Sequence, residues 1–134
     1  MNKVIQENSK EQTEYPYKEL TRKVIGATME VHRRLGYGFL ESVYESALAV
    51  ELRNQNILFE QQKPIDVYYK DSLVKQFFCD FLVDKSLIVE IKTIKQLTHV
   101  ETGQILNYLK ATRMKLGLLL NFGASSLHYK RVIN

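Results

Sequence analysis

From Tyr17 onward, Leu20, Val24, Thr28, Val31 and Leu35 recur three to four residues apart, with Pro16 at a first helical position and Gly36 as a stop. That spacing predicts a helix burying one stripe. After the break Gly36-Tyr37-Gly38, the positions Leu40, Val43, Tyr44, Ala47, Leu48 and Leu52 draw a second helical stripe that runs to Asn54 or Asn56. Between Ile57 and Thr93 the period changes. β-branched and aromatic residues dominate, and Lys70-Asp71-Ser72 after IDVYY and Asp84-Lys85-Ser86 after FFCDFLV predict three strands joined by two hairpins. Thr98 and Glu101 have capping-box spacing, and Val100, Gln104, Ile105, Tyr108, Leu109 and Thr112 follow as a third helix ending near Arg113. LGLLLNFG is apolar on both faces and bounded by glycine, as a buried parallel strand is, and SSLHYKRVIN supplies one further edge strand. Residues 1–14 have no periodicity and are expected to be a flexible leader to a single domain over 15–134.

The order is therefore helix, helix, three meandering strands, helix, strand. A strand, helix, strand passage takes a right-handed crossover, which sets the strand at 116–122 parallel to the one at 87–93. The expected fold is an α/β sandwich around a mixed sheet.

Composition narrows the function by exclusion. Hydrophobic residues make up 45% of the 134, against six Gly and two Pro, so a packed core is within reach and a disordered or collagen-like chain is excluded. One cysteine, Cys79, and three scattered histidines, His32, His99 and His128, make neither a disulfide scaffold nor a structural zinc site. The longest apolar run, Leu116 to Phe122, contains Gly117 and Asn121 and falls short of the ~20 residues a membrane helix needs. The polar stretch MNKVIQENSKEQTEY reads as neither a secretion signal nor a mitochondrial address, so a soluble protein of a reducing cytoplasm is expected. The net charge of +4 conceals a split, with −2 over residues 1–84 and +6 over 85–134. Lys95, Lys110, Arg113, Lys115, Lys130 and Arg131 suit a polyanion such as nucleic acid; lysines solvated on helix and strand surfaces are the competing reading.

Candidate chemistry lies on the hairpin strands. Strict alternation puts Phe78, Asp80 and Leu82 on one face of their strand and Ile88, Glu90 and Lys92 on one face of the next. Two carboxylates sharing a partly desolvated cleft raise each other's pKa unless a cation compensates. Mg²⁺ takes oxygen ligands, and Asp80, Glu90 and the carbonyl of Ile91 could supply them, with Lys92 alongside. Such a centre stabilises negative charge developing on a phosphodiester. Charged and apolar residues also alternate on any half-solvated strand, and that is the alternative. Gln104 and Tyr108 lie four apart on one helix face, with an amide where packing alone prefers Leu. Glu41 falls in a first helical turn, where the helix dipole favours a carboxylate by roughly 0.3–1 kcal/mol, so it reads equally as a first-turn residue. Tyr44 and Tyr108 read as core aromatics whose hydroxyls reach the cleft or solvent.

Other motifs fail. Gly36-x-Gly38 lacks the third glycine and preceding strand of a dinucleotide loop, and no phosphate loop is present. Ser125, Ser126 and His128 have no nucleophile elbow, and no helix-turn-helix or finger pattern reads DNA sequence.

Taken together, Gly38-Phe39-Leu40-Glu41-Ser42-Val43-Tyr44, Asp80, Glu90-Ile91-Lys92, Gln104 to Tyr108 and Asn121-Phe122-Gly123 resemble the GxxExxY proteins, a family within the PD-(D/E)xK nuclease superfamily. The resemblance runs from about Tyr17 to Asn134. It implies a three-layer, restriction-endonuclease-like core of helix, three-strand meander, helix and parallel strand, here with an extra N-terminal helix. It also implies a Mg²⁺ or Mn²⁺ site with Asp80 and Glu90 as ligands, Glu41 completing the acidic cluster through a water, and Lys92 as the catalytic lysine. Gln104 and Tyr108 match the Gln-x-x-x-Tyr pair that faces the substrate or active site in RecB-like members. Some of these use an upstream histidine as a ligand, a role His32 matches by position alone; the competing reading is a helix-surface or capping histidine. Cys79 stands where the superfamily pattern has proline, and reads as a small packed residue facing opposite to Asp80.

The leading expectation is a metal-dependent nuclease hydrolysing DNA or RNA. A catalytically silent module of the same fold, binding nucleic acid or a partner protein through the basic region, is the alternative, and a wholly structural role for the charged strand residues is a third. A core this small leaves a shallow cleft, which a homodimer or a partner presenting the substrate would complement.

Overall fold

A computed structural model describes residues 17–134, so the expected leader over 1–14 and Pro16 lie outside the described residues. The chain forms helix α1 (Lys18–Leu35), helix α2 (Glu41–Asn54), strands β1 (Phe59–Tyr69), β2 (Ser72–Val83) and β3 (Leu87–Lys92), helix α3 (His99–Thr112), and strands β4 (Leu116–Asn121) and β5 (His128–Ile133). The strands make one five-stranded sheet in the order β1-β2-β3-β4-β5. β3 and β4 are parallel, Leu87 opposite Leu116 through Lys92 opposite Asn121, and every other pairing is antiparallel. This is the mixed sheet that the order of elements predicts, and SSLHYKRVIN supplies its edge.

Each face of the sheet carries its own core, which makes three layers. Val24, Val31, Tyr44, Leu48 and Leu52 of α1 and α2 pack on Phe81, Val83, Val89, Ile91, Leu118 and Leu120. On the other face Ile105, Tyr108 and Leu109 of α3 pack on Ile65, Cys79, Leu82, Ile88 and Leu119. β3 and β4 are buried along nearly their whole length because both faces are covered, which is why their sequences read as continuous apolar runs. Three residues of the expected helical stripes are exposed: Leu40, the N-cap of α2, Val100, in the first turn of α3, and Gln104. The expected capping box is present: the Thr98 hydroxyl accepts from Val100 N at 3.2 Å and the Glu101 carboxylate accepts from Thr98 N at 2.6 Å.

The segment after β3 is tied to the end of β4 by one buried amide. Asn121 Oδ1 accepts from Ile94 N and from Gly123 N, both at 3.0 Å, while its Nδ2 donates to Ile94 O at 2.8 Å. Phe122 then stacks on Tyr44, ring centres 4.5 Å apart, locking β4 to α2. Gly123 must be glycine, since a Cβ there would run into the backbone of Thr93 and Ile94. Gly123→Ala is expected to cost about 1–3 kcal/mol by forcing those backbones apart, read as a fall in the urea midpoint at unchanged slope.

Candidate functional site

β2 pairs with β3 through Phe81 opposite Val89, Leu82 opposite Ile88 and Val83 opposite Leu87, while β1 and β2 stay paired as a two-stranded ribbon far beyond that point. Where the β2–β3 ladder gives out, carboxylates take over from backbone carbonyls. Asp80 N donates to Glu90 Oε2 at 2.7 Å, and Ile91 N donates to Asp80 Oδ2 at 2.7 Å. The two acids are thereby fixed reciprocally across the strands, and each is held at the short distance typical of a charge-assisted bond.

The expected face alternation on β2 fails at this point. Phe77, Cys79 and Leu82 all pack in the α3-side core while Phe81 and Val83 pack in the other, so the alternation slips between Cys79 and Phe81. Phe78 and Leu82 consequently do not share a face with Asp80 between them. The slip accompanies a left-handed residue across the ribbon, Gln62, with φ of 51°. On β3 the expected alternation holds: Ile88 packs in the α3-side core, Glu90 lies opposite Leu119 of that same core, and Lys92 Nζ donates to Gln104 Oε1 on α3 at 3.0 Å.

Glu41 arrives from the other layer. Tyr44, fully buried, donates its hydroxyl to Gly36 O at 2.6 Å and accepts from Phe39 N at 3.2 Å. These bonds fold the loop back onto α2, and Gly38, with φ of 115°, allows the bend. Glu41, the first residue of α2, is presented on the side of Asp80 and Lys92, both of which act on its charge. The spacing Gly38, Glu41, Tyr44 therefore has a local physical cause: a bend, an acid at the helix start, and a tyrosine that pins the bend.

Electrostatics at this junction are unfavourable to charge. Burial, then the charge of Asp80, pushes the Glu90 carboxyl up to about 8, and only 4% of the residue is exposed. Asp80 is raised by burial, against the opposing bonds from Ile91 and Gln62, and Glu41 is raised by burial and by Asp80. Tyr108 packs from α3 against the core that holds Cys79 and Ile88, and its hydroxyl is raised by burial and by the charges of Glu90 and Asp80. Glu41, Asp80, Glu90, Lys92, Gln104 and Tyr108 thus share one neighbourhood, contributed by the four elements α2, β2, β3 and α3. Burial, followed by the same two acids, pushes the Cys79 thiol up to about 12, in keeping with a packed residue.

His32 does not join them. It is buried rather than on the helix surface, its Nε2 lies 3.0 Å from Ala124 O, and its ring meets Phe122, so it ties α1 to the turn after β4. Two residues that the sequence did not single out do bear on the site: Glu45, one helical turn after Glu41, and Gln62 flank Asp80. Asn121, quoted with the resemblance but given no role there, holds the backbone leaving Lys92. The four-residue spacing from Glu41 could have flagged Glu45; nothing in the sequence flags a left-handed glutamine.

Among the described residues, no three His, Cys, Asp or Glu side chains are gathered closely enough to hold a metal ion by themselves. The donors nonetheless suit a hard divalent cation: three carboxylates raised by burial or by one another, with one ammonium nearby, form a centre short of positive charge. A cleft of about 440 Å³ opens beside it between Phe77 and α3, with Gln104 and Tyr108 in its wall. A larger hollow, about 590 Å³, lies at Arg53, Ile57 and Phe59; neither lining includes a carboxylate, and the smaller cleft is the one that shares Gln104 and Tyr108 with the site.

A family model described as the PD-(D/E)XK nuclease superfamily matches residues 18–132. No curated protein and no solved structure matches the chain.

The raised Glu90 carboxyl sets a pH dependence. Between its ordinary value of 4.5 and about 8 the fold holds a proton that the unfolded chain has released, so its contribution is complete below 4.5 and lost as pH rises through about 8. With a chelator present, Glu90→Gln is expected to gain on the native chain as pH rises from about 5 to about 8.5, by roughly 5 °C in Tm at the upper end. Parallel Tm curves for the two chains would place Glu90 in an ordinary solvated setting.

Proposed function

The chain belongs to the PD-(D/E)XK nuclease superfamily, and from that membership we propose that it is a metal-dependent nuclease that hydrolyses phosphodiester bonds of DNA or RNA. Within the superfamily, the bend at Gly38, the acid at Glu41 and the pinning tyrosine Tyr44 favour the GxxExxY proteins, and the pair Gln104 and Tyr108 favours a RecB-like arrangement. The observation that carries the proposal is the reciprocal tie of Asp80 and Glu90 across parting strands, with Lys92 held beside them by Gln104.

In this reading Asp80 and Glu90 hold Mg²⁺ or Mn²⁺, and Glu41 completes the acidic set through a water. The ion, when bound, polarises a phosphodiester oxygen and lowers the pKa of water. Lys92 places an ammonium where negative charge develops on the phosphate, and Gln104, accepting from Nζ, fixes its direction. Gln104 is a positioning residue in that role. Tyr108, buried, lines the wall of the cleft into which the nucleotide enters. Hydrolysis breaks one P–O ester bond and forms one P–OH, water supplying both the oxygen and the proton that the leaving oxygen takes. Recognition through ion and backbone contacts reads phosphates rather than bases. The single cysteine is buried, in keeping with a cytoplasmic setting, and no helix among the described residues is long and apolar enough to cross a membrane.

The test is cleavage of labelled single- and double-stranded DNA and RNA with Mg²⁺, Mn²⁺ or EDTA, native chain against Lys92→Ala. Cleavage by the native chain that stops in EDTA, with a rate lower by about 10²-fold or more in the variant, is the expected outcome. Equal rates in the two chains, or none, would leave the fold serving as a binding module.

A further inference from the structure

Gln62 occupies the middle of β1 with its backbone in the left-handed region, φ 51°, and the regular ladder skips it between the pairs Gln61 with Phe81 and Lys63 with Cys79. A residue other than glycine is strained there. The turn aims its side chain toward the acids: Nε2 donates to Asp80 Oδ1 at 3.1 Å and lies 3.1 and 3.2 Å from Glu45 Oε1 and Oε2. An amide nitrogen has two protons for those three oxygens, so it cannot satisfy all of them at once.

The oxygen that Gln62 covers is the one that matters for a cation. Asp80 Oδ2 is committed to Ile91 N, which leaves Oδ1 as the outward oxygen of this acid. The neutral amide caps that oxygen, yet Glu45 offers the same amide two further oxygens. Gln62 can therefore release Asp80 without becoming unpaired. We propose that Gln62 is a latch on Asp80: a divalent cation takes Oδ1 in place of the amide, and the amide stays on Glu45. The proposal rests on the metal reading above and adds that the site opens against a competing side chain of its own chain.

The latch makes a prediction opposite in sign to a supporting role. Gln62→Gly removes the amide at a backbone position that glycine adopts freely, so this variant keeps the ribbon without strain. Mn²⁺ binding to the full chain, measured by calorimetry, is expected to be about tenfold tighter in Gln62→Gly, the worth of one hydrogen bond to a charged group. Gln61→Ala is the control, because Gln61 Nε2 donates to Glu45 Oε2 at 3.0 Å and to no oxygen of Asp80, and its affinity should equal that of the native chain. Affinity in Gln62→Gly that is unchanged or weaker, in a native chain that binds Mn²⁺, overturns the latch and leaves the metal reading standing. Absence of Mn²⁺ binding in all three chains overturns both. Tm in chelator, recorded for each chain, separates loss of fold from loss of affinity.

Discussion

Backbone amides at the edge of a shared ladder need acceptors, and the β2–β3 ladder stops after Phe81 and Val89 while both chains remain partly buried. An amide left without a partner there costs about 1–3 kcal/mol. The chain supplies Glu90 to Asp80 N and Asp80 to Ile91 N, and so commits two acids to one spot in a desolvated setting. Backbone satisfaction and charge repulsion are set against each other by this arrangement. The hydrogen bonds favour ionised carboxylates, burial and proximity favour protonated ones, and for Glu90 burial wins. A bound cation would remove the conflict by adding the missing charge, which ties the local geometry to the proposed chemistry.

Around that junction the scaffold is cross-tied. Tyr44 joins the bend before α2 to the core and stacks on Phe122, while Asn121 ties the backbone after Lys92 to β4. Acids from α2 and from the strands and the lysine of β3 are therefore referred to one frame, with Gln104 of α3 reaching in from the opposite layer. The ribbon of β1 and β2 beyond Phe81 has no such backing from β3, and it is from this less supported arm that Gln62 reaches the acids.

Much of this was legible in the sequence because it follows from periodicity. The helical stripes ending at Gly36 and Asn54, the turns at Lys70 and Asp84, the capping box at Thr98 and the two-sided apolar run at Leu116 each have a local cause, and a crossover rule converts their order into a mixed sheet. Asp80, Glu90 and Lys92 were visible as charges out of place on apolar strands, and Gln104 as an amide in a helical stripe. What escaped depends on contacts distant in sequence. Alternation carries no information about where a ladder ends, so it misplaced Phe78 and Leu82 relative to Asp80. His32 could be judged only by position until its ring was found against Ala124 and Phe122. The roles of Asn121 and Gln62 lie in pairings 27 and 18 residues away, which no local pattern encodes.

The central claim is that the acids at the strand junction are completed by a divalent cation. A ligand of the folded state raises Tm increasingly as its concentration exceeds its Kd, so the direct measurement is the Tm of the native chain and of Asp80→Asn across a millimolar range of Mn²⁺. The account requires a rise of roughly 5 °C in the native chain and no rise in the variant. Equal responses in the two chains, or no response in either, would contradict it.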